Sequence, residues 1–299
     1  METTLPQDMK TIQISNGETI AYREAGTSSK VLVMVHGFLT SSLVFKEALP
    51  ALSESFRVLA LDLPGNGHSS YNNILRSIDD YAEAVQGFVD ALNIKKFNIF
   101  GWSAGGATAL KFAAKYPDYV DKLIVSNPLG IKGVPIVKID ESGKPTQERA
   151  QTEEDVLNHP FAKSVKAAIE QKNREEVLKL IGIFVFNGKY KPTEEKLEMY
   201  LQDWFLNRSS ERILILLNGF NISNEHNGAN QGTGEVSKIK SKVLIFQGGK
   251  DNMVPQADID ELQKNLRVEY ELKVFQESGH AVFEDDPEEA IKKIKEFCA

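Results

Sequence analysis

The segment "FNIFGWSAGGATALKFAAKYP", residues 97–117, constrains the fold more strongly than any other part of the chain. It opens with a continuous apolar run, which predicts a buried strand, and from Ser103 to about residue 115 it follows the spacing of a helix. Ser103 lies in the sequence "GWSAGG", whose members other than Trp102 are small. A turn this tight accepts only small flanking residues and lifts the serine side chain above the edge of the sheet.

The same alternation of strand and helix continues on both sides of this segment. A hairpin is predicted where "TIQIS" and "TIAYRE" flank Asn16-Gly17. Apolar runs predict further strands at 30–37, 57–65, 122–128, 241–251 and 270–276, with helices at about 41–53, 78–92, 256–265 and 287–297. Strands that alternate with helices form parallel sheets. We therefore predict an α/β fold with a mostly parallel, eight-stranded type of sheet flanked by helices.

The alternation stops near residue 130 and resumes near residue 237. The intervening stretch is polar, helix-like and rich in loops, and a structureless loop of that length is uncommon. A chain of 299 residues can hold one core with a sizeable insertion. We predict a core formed by residues 1–129 and 237–299, interrupted by a helical cap at 130–236.

Composition limits the partners and the compartment. A net charge of −7 gives no general attraction to nucleic acid or to anionic membranes. Cys298 is the single cysteine, so an internal disulfide is impossible and a reducing compartment fits. The N-terminus lacks the pattern of a signal peptide, and no apolar run approaches the roughly 18–20 residues of a membrane span. We expect a soluble, cytoplasmic protein, and the oligomeric state stays open.

A serine hydroxyl becomes a nucleophile only with a base that takes its proton. Of the five histidines, His280 follows the last predicted strand and so lies at the carboxyl edge of the sheet, where Ser103 also lies. We predict His280 as the base. The other histidines are interpreted as structural, loop or surface residues: His36, His68, His159 and His226.

The acid that orients the base should also follow a strand. Asp251, in "QGGKDNMVP", meets this condition, and Asp62 is the alternative because it too follows a strand. The acidic residues that come soon after His280 are interpreted as charges in the first turn of the last helix: Glu284, Asp285 and Asp286. The order Ser103, Asp251, His280 is the order expected for a nucleophile in this type of turn.

Taken together, these motifs resemble those of the α/β-hydrolases. The resemblance is to the cap-bearing branch, which contains esterases, lactonases, C–C bond hydrolases and cofactor-free haloperoxidases. The matching pieces are "VHGF", "LDLPGNGHSS", "GWSAGG", "QGGKDNMVP" and "SGHAVFEDDP", which fit in order over 10–128 and 241–297. The resemblance implies a catalytic triad of Ser103, His280 and Asp251. It also implies an oxyanion hole formed by the backbone N–H groups of Phe38 and Ala104.

Particular residues separate the activities of this branch. Epoxide hydrolases and haloalkane dehalogenases carry Asp where this chain has Ser103. C–C hydrolases usually carry small residues where this chain has Phe38 and Leu39, which instead indicate an apolar acyl pocket. We therefore predict hydrolysis of a carboxylic ester or lactone through an acyl-enzyme. C–C cleavage of a β-diketone type of acid, a perhydrolase or haloperoxidase reaction, and a ligand receptor on the same scaffold remain alternatives.

The predicted partner is a small-molecule ester or lactone. Aromatic residues of the cap either form its own core or face the nucleophile. The candidate substrate contacts are Leu39, Trp102, Phe184, Trp204 and Val254. The sequence contains no glycine-rich phosphate loop followed by lysine, no metal-ligand spacing and no dinucleotide fingerprint, so neither a cofactor nor a metal is expected.

Overall fold

The hairpin predicted around Asn16-Gly17 forms one edge of the sheet in the computed structural model, which describes residues 5–299. The first four residues of the predicted core segment 1–129 lie outside the described residues. The hairpin consists of β1 (Met9–Gln13) and β2 (Thr19–Ala25), and Gly17 has the positive φ of 86° that its turn requires.

Outside residues 130–236, the remaining elements follow the predicted alternation. The strands are β3 (Val31–Val35), β4 (Arg57–Leu61), β5 (Phe97–Trp102), β6 (Val120–Ser126), β7 (Val137–Ile139), β8 (Pro145–Arg149), β9 (Lys242–Gly248) and β10 (Tyr270–Phe275). The helices are α1 (Leu49–Ser53), α2 (Ile78–Ala91), α3 (Ala104–Lys115), α4 (Glu153–Asn158), α5 (Pro160–Glu170), α6 (Arg174–Phe184), α7 (Glu194–Trp204), α8 (Ser210–Gly219), α9 (Gln256–Asn265), α10 (Val282–Asp285) and α11 (Pro287–Phe297). Short 3₁₀ helices span Ser42–Phe45, Pro117–Tyr119 and Glu235–Lys238.

Eight strands form one sheet in the order β1-β2-β4-β3-β5-β6-β9-β10. Within the described range, β2 is antiparallel to both of its neighbours, and the other neighbouring pairs are parallel. This confirms the predicted α/β fold with a mostly parallel, eight-stranded sheet flanked by helices.

The sheet places several loops at one edge. Strands β3 and β5 are buried at every position because helices cover both faces, which explains their continuous apolar sequences. Val35, at the end of β3, pairs with Gly101 of β5, and Gly248, at the end of β9, pairs with Phe275 of β10. The loops that follow β3, β5, β6, β9 and β10 therefore all leave from the carboxyl edge.

One predicted helix is broken in the structure. The helix expected at about 41–53 consists of the 3₁₀ turn Ser42–Phe45 followed by α1. Pro50 occupies the first turn of α1, and its ring is incompatible with a continuous helix through the preceding turn. The prediction of one helix was wrong for this physical reason.

Residues 130–236, which we call the insertion, lie between β6 and β9. They contain helices α4 to α8 and also a hairpin, β7–β8, which the sequence analysis did not predict. Asp140 stabilises the hairpin turn because its side chain accepts hydrogen bonds from the backbone of Ser142 and Lys144. The division into a core and a separate cap domain stays a prediction. None of the helices within residues 5–299 is long and apolar enough to cross a bilayer.

Candidate active site

Ser103 occupies a strained turn between β5 and α3. Its backbone angles are φ 55° and ψ −120°, a region that residues other than glycine rarely adopt and that costs about 1–3 kcal/mol. A Cβ atom added to Gly105 would overlap the carbonyl oxygens of Val35 and His36, and one added to Gly101 would overlap the carbonyl of Gly105. The small residues of "GWSAGG" are therefore needed for the close approach of three backbone segments.

His280 and Asp251 form a buried hydrogen-bonded pair. Nδ1 of His280 lies 2.9 Å from Oδ2 of Asp251, and the two side chains are 3% and 2% exposed. The other oxygen of Asp251 accepts a 2.7 Å bond from the backbone N–H of Met253. A carboxylate can only accept, so Nδ1 of His280 donates to Asp251, and in the neutral ring Nε2 then carries the lone pair. This is the tautomer that a general base requires.

Trp102 joins the histidine to the turn that carries Ser103. The rings of Trp102 and His280 are 5.4 Å apart between centroids, and Nε1 of Trp102 donates a 2.8 Å hydrogen bond to the carbonyl of His280. Within the described residues, the Ser103 hydroxyl makes no hydrogen bond to His280. Catalytic hydrogen bonds often shorten only when substrate binds. The structure therefore brings the pair of His280 and Asp251 beside the residue that precedes Ser103.

The predicted oxyanion residues lie on either side of Ser103. A Cβ atom added to Gly37 would be 3.1 Å from the Ser103 Cβ, so the turn that carries Phe38 touches the serine. Ala104 is the first residue of α3, where backbone N–H groups have no partner within the helix. Within residues 5–299, neither the Phe38 nor the Ala104 N–H donates to a protein acceptor. Both donors are available to an anion.

Asp62, the alternative acid, has other partners. Its Oδ1 accepts from the backbone of Ser42 at 2.8 Å, and its Oδ2 accepts from the backbone of His68 at 2.9 Å. His36 is also engaged, because its Nε2 accepts a 2.9 Å bond from the Leu63 N–H. Burial lowers the pKa of His36, and the bond from the Leu63 N–H requires an unprotonated Nε2. Both residues stabilise loops near the site.

The candidate substrate contacts lie in two groups. Phe184 of the insertion packs edge-on against Phe38, with 5.5 Å between ring centroids, and Trp204 lies 6.5 Å from Phe184. Leu39 follows Phe38 and is buried with a positive φ of 59°. Trp102 contacts His280, and Val254 is buried beside Asp251, where its N–H approaches Oδ1 of Asp251 at 3.4 Å. An apolar aromatic surface thus covers the turn that carries Phe38.

Asn127, a residue not predicted from the sequence, holds the loop that carries His280. Its Nδ2 donates to the carbonyls of Gly279 at 3.0 Å and His280 at 2.8 Å, and its Oδ1 accepts a 2.9 Å bond from the Gly248 N–H. Asn127 is fully buried and directly follows β6. A polar residue at the end of a buried central strand was the signal that could have identified it.

The prediction that the acidic residues after His280 lie in the first turn of the last helix was wrong for all three. Asp286 is the residue before that helix, and Glu284 and Asp285 lie in the separate helix α10 and are buried. Oδ2 of Asp285 accepts a 2.8 Å bond from the Gly279 N–H. Pro287 begins the last helix, so the charges of its first turn are the residues that follow the proline.

Glu284 binds to the insertion. It forms a 2.6 Å ion pair with Lys196 and accepts a hydrogen bond from the hydroxyl of Tyr200. Burial raises the pKa of Glu284, and the bonds from Lys196 and Tyr200 oppose that shift. Within the described part of the chain, no three His, Cys, Asp or Glu side chains converge as metal ligands would.

Known proteins resemble this chain at different levels. A Saccharomyces cerevisiae protein named as an uncharacterized hydrolase is 32% identical over 118 residues, which span 39% of this chain and only 41% of that protein. A 2-hydroxy-6-oxononadienedioate/2-hydroxy-6-oxononatrienedioate hydrolase from Pseudomonas sp is 26% identical over 284 residues, or 91% of this chain and 89% of that protein.

The solved structure of the enol-lactonase from Burkholderia xenovorans LB400 shares the fold. Its TM-score is 0.71 at 20% identity, and the alignment covers 96% of this chain and 98% of that chain. The family described as "alpha/beta hydrolase fold" matches residues 30–287. That match includes every residue of the candidate site, and the chain therefore belongs to the alpha/beta hydrolase fold family.

Proposed function

We propose that this protein is a serine hydrolase that cleaves a carboxylic ester or lactone through an acyl-enzyme. The observation that carries the proposal is the buried pair of His280 and Asp251, at the same sheet edge as the strained turn of Ser103. A nucleophile, a base and an acid on separate strand ends form the arrangement that activates a serine hydroxyl.

The proposed reaction uses these groups in order. Oγ of Ser103 attacks the ester carbonyl while Nε2 of His280 accepts the hydroxyl proton. The N–H groups of Phe38 and Ala104 bind the oxyanion, and each such donor typically contributes about 3 kcal/mol to the transition state. His280 gives its proton to the leaving alcohol as the C–O bond breaks. Water then attacks the acyl-enzyme by the same steps in reverse and releases the acid.

The apolar surface over the oxyanion turn supports an uncharged substrate. Phe38 and Phe184 supply this surface, and the insertion that carries Phe184 would act as the cap. The fold shared with an enol-lactonase is consistent with a cyclic ester. The cytoplasmic location inferred from the composition stays a prediction.

The Pseudomonas relative favours a second candidate, C–C hydrolysis. Its name gives a keto dioate substrate, which has carboxylates and no ester. Such a substrate needs a free cation near the nucleophile, and the buried cations of the described residues are engaged by the chain itself. They are Arg23 with Asp8 and Ser42, Lys111 with Asp79 and Glu235, Arg149 with the carbonyls of Lys132 and Asn218, and Lys196 with Glu47 and Glu284. We therefore rank ester hydrolysis first.

A substrate panel tests the proposal. We expect turnover of p-nitrophenyl esters and simple lactones, no turnover by Ser103→Ala, and labelling of Ser103 by a fluorophosphonate. Cleavage of a 2-hydroxy-6-oxo-dienedioate without ester turnover would favour C–C hydrolysis. If esters are converted only when peroxide is present, and the product is a peracid, the perhydrolase reaction would be favoured. One stoichiometric burst without further turnover would favour a receptor.

A further inference from the structure

Asn187 connects the insertion to the two loops that carry the buried acid–base pair. Its Oδ1 accepts a 2.7 Å hydrogen bond from the backbone N–H of His280. Its Nδ2 donates to Oδ1 of Asn252 at 2.9 Å and to the carbonyl of Ile183 at 3.0 Å. Asn252 directly follows Asp251. One amide therefore bridges the loop of the base, the loop of the acid and the end of α6.

The turn that contains Asn187 is packed tightly against the histidine loop. Asp285, which follows that loop, accepts a 2.6 Å bond from the Tyr190 N–H and a 2.8 Å bond from the Gly279 N–H. A Cβ atom added to Gly188 would overlap the Asp285 carboxylate. The insertion thus rests directly on the backbone that carries His280.

The backbone of His280 is held from two sides by different parts of the chain. Its carbonyl accepts bonds from Trp102 and Asn127, which are buried in the core at the ends of β5 and β6. Its N–H donates to Asn187, which is only half-buried and belongs to the insertion. Among the hydrogen bonds of residues 5–299, the bond to Asn187 is therefore the one to the His280 backbone that depends on the position of the insertion.

The same turn also reaches the proposed oxyanion residue. Phe184 lies three positions before Asn187, and its ring packs against Phe38. When this part of the insertion packs against the core, Phe184 lies over the turn that carries Phe38, and Asn187 accepts a hydrogen bond from the N–H of His280. The two halves of the site are thereby linked through a few residues of the insertion.

We propose that Asn187 is a positioning residue. Through it, the alignment of His280 with Asp251 depends on how the insertion packs against the loop that carries His280. The inference rests on the proposed function, because it assigns His280 the role of base. Asn187 does not contact the reacting atoms, so its role is to fix the imidazole. A shift of about 1 Å in a catalytic group can lower the rate about a hundredfold.

Variants of two residues in this turn test the proposal. We expect Asn187→Ala to lower kcat about tenfold to a hundredfold while KM changes less than about twofold. Asn187→Asp keeps an acceptor for the His280 N–H but places its second oxygen against the Ile183 carbonyl, so we expect it to recover only part of kcat. The control is Lys189→Ala, which removes an exposed ion pair between the same turn and Asp286 without affecting the bond to His280. An equal loss of kcat in Lys189→Ala would overturn the assignment, as would unchanged kcat in Asn187→Ala.

A readout that needs no turnover separates this inference from the proposed function. In Ser103→Ala, the proton between His280 and Asp251 should give a downfield NMR resonance. Adding Asn187→Ala should broaden it through faster exchange with water, whereas adding Lys189→Ala should leave it sharp. An unchanged resonance would overturn the positioning role even if Ser103 labels with a fluorophosphonate. Suppose that adding Asn187→Ala broadens the resonance but that Ser103 of the wild type does not react with the fluorophosphonate. This result would support the positioning of His280 and overturn the serine hydrolase.

Discussion

The hydroxyl of Ser41 donates a 2.5 Å hydrogen bond to Oδ1 of Asp203, across 162 positions of the sequence. Ser41 lies three positions after Phe38, and Asp203 lies in α7 of the insertion. Asp203 is 8% exposed and lines a cavity of about 400 Å³ together with Arg23 and His68. This bond therefore fixes the insertion to the loop behind Phe38.

The first prediction concerns the pH dependence of stability at Asp203. Burial raises its pKa to about 7; the bond from Ser41 and the charge of Arg23 oppose this shift, and the charge of Asp62 adds to it. The unfolded chain ionises near the ordinary value of 3.8, so between about pH 4 and pH 7 the folded chain holds the extra proton. This contribution to the free energy of unfolding falls as pH rises through that window, by about 1.4 kcal/mol per unit.

Asp203→Asn should remove that dependence because an amide does not ionise. We expect the unfolding free energy of the variant, minus that of the wild type, to increase by a few kcal/mol from pH 5 to pH 8. Urea denaturation at the two pH values measures this difference. A difference that does not change with pH would show that the Asp203 carboxyl is not neutral in the folded protein.

The second prediction concerns backbone strain at Ser103. Glycine adopts φ 55° and ψ −120° without the penalty of a Cβ atom, although its greater freedom in the unfolded chain offsets about 0.5–1 kcal/mol. Ser103→Gly and Ser103→Ala should both lose ester turnover. We expect the unfolding free energy of Ser103→Gly to exceed that of Ser103→Ala by about 1 kcal/mol. The reverse order in urea denaturation would contradict strain at this position.

The third prediction distinguishes the two candidate acids. Asp251→Asn should lower kcat by about 10⁴, because an amide can donate to Nδ1 of His280 and so stabilises the wrong tautomer. Asp62→Asn should lower the unfolding free energy by about 1–3 kcal/mol, because its amide N–H₂ would face a backbone donor. Its kcat per folded molecule should stay near the wild-type value. A loss of kcat in Asp62→Asn alone would reverse the assignment of the acid.

The fourth prediction concerns the apolar surface formed by Phe184 over the turn that carries Phe38. Phe184→Ala should raise KM for long-chain p-nitrophenyl esters about tenfold to a hundredfold, because about 1.5–3 kcal/mol of apolar contact is lost, and should change acetate hydrolysis little. Phe186→Ala is the matched control, since Phe186 packs 5.1 Å from the Tyr200 ring. It should lower stability without changing chain-length preference. Equal shifts in both variants would place the acyl chain elsewhere.

The sequence alone predicted the sheet and the tight turn that carries Ser103. Both depend on local information: β3 and β5 are continuous apolar runs, and the sequence around Ser103 fits only a tight turn. Parallel strands share a carboxyl edge, so His280 and Asp251 could be chosen because they follow strands. The role of Glu284 could not be predicted from local sequence, because its partner Lys196 lies in α7, which is far away in the chain.

Only the tertiary structure decided how the insertion meets the core. The bonds from Asn187 to His280 and from Ser41 to Asp203 join segments far apart in the chain, so no periodicity or turn signal indicates them. Local sequence determines strands, helices and turns because their hydrogen bonds connect nearby residues or follow a repeating pattern. Polar contacts between packed segments depend on the relative positions of the segments, and those positions are fixed only when the whole chain has folded.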